Sequence, residues 1–119
     1  MATLNLTLNV RNPNPHAAVI DIVGQVTSAA ELPLMNAYEE ATRNRVRAII
    51  LNFSDLEYMN SSGIDLLVTM LIRVNRQKQH MLTYGLSDHY QQIFELTRLN
   101  EAIGIYPDEA SALRAANGT

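Results

Sequence analysis

Val46-Arg47-Ala48-Ile49-Ile50-Leu51-Asn52-Phe53, followed shortly by Leu56-Glu57-Tyr58-Met59-Asn60-Ser61-Ser62-Gly63-Ile64-Asp65-Leu66-Leu67, decides the fold. The first run is almost unbroken apolar sequence, the pattern of a strand covered on both faces; such strands are usually central and parallel. The second leaves that strand and opens an amphipathic helix with Asn60, Ser61 and Ser62 at its start. A helix start carries partial positive charge and unpaired N–H donors, which suits a phosphate. A serine there can carry a modification without wrecking the fold. Capping is the plainer account, because all three residues are good N-caps.

Working outward, Leu4, Leu6, Leu8 and Val10 alternate with polar residues, the period of a half-buried strand. Asn12-Pro13-Asn14-Pro15 is turn chemistry, and Ala18 to Val23 reads as a second strand stopped at Gly24. A helix capped by Thr27 or Ser28 follows, with Glu31 as a capping-box partner and Pro33 tolerable only in the first turns. After the serine-headed helix, which runs to about Lys78, come a strand over 81–85 and a helix over 88–98. A strand over 103–106 and a helix opened by Pro107 and Asp108 close the chain, fraying into Asn117-Gly118-Thr119. The order ββαβαβαβα predicts an α/β fold with a mixed sheet of about five strands, and nothing divides residues 1–119 into more than one domain.

Winding the central helix at 100° per residue places Ile64, Leu67, Val68, Leu71, Val74 and Asn75 on one stripe, expected to face the sheet. Leu66 then falls on the solvent side with Arg73 beside it, Met70 partway round and Ile72 on another flank. Lone exposed leucines mean nothing, but this group would form a docking face one turn from Ser61. On that reading Leu66→Ala or Met70→Ala weakens partner binding and spares folding.

The composition excludes several classes. Apolar residues make up 47% and charged residues 18%, against a disordered chain. A net charge of −3 argues against a direct nucleic-acid surface. There is no cysteine, which removes disulfides and thiolate chemistry and fits a reducing compartment. Without a signal peptide or an apolar run of bilayer length, a cytoplasmic protein that does not insert into membranes is expected. His16, His80 and His89 are scattered, no nucleophile elbow surrounds Ser61 or Ser62, and no ligand-spaced cluster suggests a metal or other cofactor. A non-enzymatic binding protein is expected. The first strand reads as an edge free of charge before Arg11, where pairing would give a homodimer.

Three stretches resemble the STAS domain family: Val19 to Val26, Ala48 to Leu56, and Tyr58-Met59-Asn60-Ser61-Ser62-Gly63. Weaker likeness continues through Phe94 to Leu99 and Ile105 to Ala110. The resemblance implies a mixed sheet with helices mostly on one face, and the role of an anti-sigma factor antagonist. Such an antagonist captures a partner that is both anti-sigma factor and serine kinase, and so frees the sigma factor. Phosphorylation of the first serine, here Ser61, breaks the complex, and a serine phosphatase resets it. With Ser61 at the rim of the docking face read from the helix winding, the expected contact set is Met59, Asn60, Ser61, Ser62, Leu66, Met70 and Arg73. Two positions depart from the family: Asn60 stands for an aspartate, and Thr27 for an acidic residue after Gly24-Gln25-Val26. The resemblance also admits a non-phosphorylated adaptor or scaffold subunit of a signalling or transport assembly.

Overall fold

The computed structural model describes residues 5–117, so Leu4, Gly118 and Thr119 lie outside the described residues. A hairpin of β1 (Leu6–Asn14) and β2 (Ala17–Val26) leads through a 3-10 turn to α1 (Glu31–Thr42). Then follow β3 (Ala48–Met59), α2 (Ser61–Arg76), β4 (His80–Tyr84), α3 (Asp88–Leu96), β5 (Gly104–Tyr106) and α4 (Glu109–Asn117). The strands lie in sequence order, β1-β2-β3-β4-β5, with β1 antiparallel to β2 and every later pair parallel. The expected ββαβαβαβα order and mixed five-stranded sheet are therefore present.

Alternation along the central strands sorts their side chains onto two faces. Ile20, Ile22, Ile49, Leu51 and Phe53 join the core under α1, α2 and α3. Val19, Ala48, Ile50, Leu82 and Tyr84 meet Ala112 and Ala116 of α4 on the other. Three helices thus cover one face and a single short helix part of the other.

Several boundaries differ from the sequence reading. Gly24 does not end β2, because its φ of 111° accommodates an irregularity beside β3 and the strand continues to Val26. β3 runs on to Met59, its last residues pairing with β2 alone. Thr27 is the cap, its Oγ1 accepting the Ala29 N–H at 3.3 Å; Glu31 makes no capping box. The chain turns at Pro15 and His16 rather than within Asn12 to Pro15. His80 opens β4, where its N–H donates to the Arg47 carbonyl, so the strand spans His80–Tyr84 rather than 81–85.

On the α4 side, a cluster around Arg11 ties β1, β2, β3, β4 and α4 together. The Arg11 guanidinium donates to both Asp21 oxygens at 2.7 and 2.9 Å and to Glu109 Oε1 at 2.6 Å. Asn52 also donates to Asp21 at 2.8 Å, and the Tyr84 hydroxyl to Glu109 at 2.7 Å. The Arg11 hydrogen bonds hold the Asp21 carboxyl down at about 2, below its usual 3.8, and lower Glu109 as well. A carboxyl depressed on folding stabilises the native state above its unfolded value, and that contribution is lost as pH falls from about 4 towards 2. Urea unfolding at about pH 6 and about pH 3 should show the wild type losing on the order of 0.5–1 kcal/mol more than Asp21→Asn, allowing for screening at the partly exposed guanidinium. Equal losses would remove Asp21 from the acid response.

Candidate functional site

β2 and β3 end side by side, and the chain turns from β3 into α2 over their carboxyl ends. The Asn60 N–H donates to the Val26 carbonyl at 3.3 Å, tying the turn to β2. Asn60 is extended (φ −97°, ψ −175°), and its Oδ1 accepts the Gly63 N–H at 3.0 Å. The first intrahelical bond runs from the Ile64 N–H to the Asn60 carbonyl at 3.0 Å. Asn60 is therefore the N-cap. Among the described residues neither the Ser61 nor the Ser62 hydroxyl takes part in a hydrogen bond, so capping accounts for neither serine. Ser61 is exposed and Ser62 half-buried.

Gly63 brings the helix hard against the sheet. A Cβ there would collide with the Val26 carbonyl oxygen and lie 2.7 Å from Met59 Cγ. Gly63→Ala should therefore cost about 1–3 kcal/mol of stability by lifting the start of α2 off β2. A denaturation midpoint equal to the wild type would show that the contact relaxes freely.

This contact also fixes which side of α2 faces inward, and it corrects the expected winding. Gly63, Leu66, Leu67, Met70 and Val74 form the buried stripe, with Leu66 at 8% and Met70 at 0% exposure. Leu66 and Met70 are thus core residues and no part of an exposed docking face; Met59 is buried too. The outer side starts at Ser61 and continues through Asp65, Val68 and Ile72, spaced by four, seven and eleven residues. Val68 and Ile72 are 37% and 48% exposed. Arg73 lies on another flank, roughly 18 Å from Ser61 along the axis, and reaches Glu39 of α1 at 3.8 Å. Of the expected contact set, Asn60, Ser61 and Ser62 gather at the turn; Leu66, Met70 and Arg73 do not join them at the surface.

Two features escaped the sequence reading. Tyr90 of α3 accepts the Met59 N–H on its hydroxyl at 2.8 Å, pinning the residue before Asn60 from the opposite side. Between α2 and α3 lies a groove of about 340 Å³ lined by Met59, Asn60, Ser61, Ile64, Ile93 and Thr97. A tyrosine in a short amphipathic helix signals core and nothing more, so only the packing could reveal its role.

His16 and His80 stand at strand starts, the end of the parallel sheet opposite Ser61. No group of three or more potential ligands among the described residues could hold a metal ion. Among them, too, no helix is long and apolar enough to cross a membrane. What the turn offers is an exposed hydroxyl at a helix start, beside a groove and ahead of a mixed polar and aliphatic stripe.

Residues 9–112 match the STAS domain family. An anti-sigma-B factor antagonist of Listeria monocytogenes is 20% identical over 102 residues, covering 86% of this chain and 90% of that protein. An anti-sigma factor antagonist from Mycobacterium paratuberculosis has a similar fold, with a TM-score of 0.81 at 17% identity, covering 98% of this chain and 99% of that one. The unphosphorylated anti-sigma factor antagonist SpoIIAA superposes with a TM-score of 0.75 at 17% identity, covering 95% of this chain and all of that one. At such identities the structures establish the fold alone.

Proposed function

The chain belongs to the STAS domain family, and on that footing we propose that it is an anti-sigma factor antagonist whose capture of an anti-sigma factor with serine kinase activity is switched off by phosphorylation of Ser61. The observation that carries this reading is the division of labour at the turn. Asn60 caps α2, leaving the Ser61 hydroxyl exposed and without an internal hydrogen bond. A phosphate there gains the unpaired N–H groups of the helix start and displaces no core contact. It also places charge at the head of the stripe containing Val68 and Ile72, which with the adjoining groove would form the contact surface. A serine phosphatase would restore the free hydroxyl. Nothing in the cycle requires a catalytic residue or cofactor of this chain, and its setting would be the cytoplasm.

Asn60 favours a second reading, a STAS adaptor that is never phosphorylated, because it removes a carboxylate that a kinase could recognise beside Ser61. One assay separates the two. The protein is incubated with ATP and the candidate anti-sigma kinase, and its intact mass is followed. A single phosphate that is absent from Ser61→Ala and still present on Ser62→Ala supports the switch. Stable binding to that kinase with no mass change would favour the adaptor.

A further inference from the structure

β1 forms one edge of the sheet and pairs with β2. The Gln25 N–H donates to the Asn5 carbonyl at 2.7 Å, which sets the phase of this antiparallel ladder. Residues 5, 7, 9 and 11 therefore direct their backbone groups to β2, and Leu6, Leu8 and Val10 direct theirs to the open edge. The side chains of these three lean to the α1 side, half-buried against the core. Beside them runs a groove of about 370 Å³, bounded by Pro33, Asn36, Ala37 and Glu40 of α1.

Sheets usually guard such an edge with charge, proline, a bulge or brevity. Leu6 to Val10 has neither charge nor proline, and the register shift of β1 comes only after Arg11. The Arg11 charge is neutralised on the far face by Asp21 and Glu109. By contrast the other edge, β5, is three residues long.

We propose that a second copy of this chain occupies the edge, its β1 running antiparallel about a two-fold axis at Leu8. Leu6 then meets Val10 of the other copy, Leu8 meets Leu8, and Thr7 meets Asn9. Each outward residue exchanges both backbone hydrogen bonds with its opposite number. Aliphatic side chains face aliphatic ones on the α1 side, and short polar ones meet on the other. The stretch is thus chemically matched to its own reverse, as an isologous interface requires.

The charges agree with this pairing. α1 joins two parallel strands, so it runs antiparallel to β2 and alongside β1. The two-fold sets the Glu40 end of one helix towards the Pro33 end of the other and keeps the two Glu40 carboxylates apart. The start of α2 lies over the ends of β2 and β3, away from this edge, so the dimer leaves Ser61 uncovered and does not depend on its role.

Light scattering across a concentration series tests the pairing. The wild type should shift from monomer to dimer as concentration rises. In T7K/N9K, lysines face lysines across the two-fold at exposed positions; the dimer should weaken roughly tenfold or more while the monomer still folds cooperatively, although Asn9 gives up its 3.3 Å hydrogen bond to Asp21. Because the chain has no cysteine, a lone thiol in Leu8→Cys reports only on itself. The expected Cα separation of about 5.5 Å is within disulfide reach, so oxidation should trap a covalent dimer, whereas Leu32→Cys on the exposed side of α1 should not. A wild type that stays monomeric throughout, or a dimer that T7K/N9K leaves intact and Leu8→Cys fails to trap, overturns the proposal.

Discussion

Ser61→Asp is expected to bind an anti-sigma factor kinase at least about a hundredfold more weakly than the wild type, and Ser61→Ala to bind constitutively. Phosphate adds about −1.5 to −2 charge, and aspartate supplies roughly half of it at the same place. Either charge, enclosed by a partner without a cation opposite, costs several kcal/mol, and each 1.4 kcal/mol is tenfold in affinity. Asp65 one turn along adds to the repulsion, and no basic residue shares that side of α2 before Arg76. The effect is local: the Asn60 cap, the Gly63 contact and the Tyr90 bond to Met59 all stay in place. Titration calorimetry of the two variants with the same kinase measures the difference. Equal affinities would leave the Ser61 turn without a switching role.

The fold was largely legible because its signals are redundant. The run from Ala48 to Phe53 is apolar on both faces and reads as a central strand without further help. Ser61 at a helix start was equally legible, since the apolar period resumes one turn later. What could not be read was the orientation of that helix. Leu67 and Val74 belong to two competing apolar stripes, one through Ile64, Val68 and Leu71, the other through Gly63, Leu66 and Met70. Apolar periodicity alone favours the first, because a glycine adds nothing to it. The glycine is nevertheless the deciding residue, since only the stripe that contains it can approach the Val26 carbonyl. The Arg11–Asp21–Glu109 cluster was hidden for a different reason: its charges come from distant parts of the chain, and only the sheet order brings them together.

That reversal of the helix makes Met70→Ala a stability variant rather than a binding one. Met70 has no exposed surface and sits in the core beneath α1, α2 and α3. Truncation removes three side-chain heavy atoms and leaves a cavity that the sheet cannot follow, which should cost about 2–4 kcal/mol. Leu66→Ala should lose a similar amount, somewhat less because its edge is accessible. Ile72→Ala, on the outer stripe, should leave stability within about 0.5 kcal/mol and weaken capture of the kinase by roughly 1–2 kcal/mol. Urea unfolding and calorimetry on the same three variants give both axes. The decisive comparison is between Met70 and Ile72, two positions apart in sequence and on opposite sides of the helix. If Met70→Ala weakened binding while Ile72→Ala unfolded the protein, α2 would have to be turned about its axis. The contact surface would then return to Leu66 and Met70, and Gly63 would lose its reason for being a glycine.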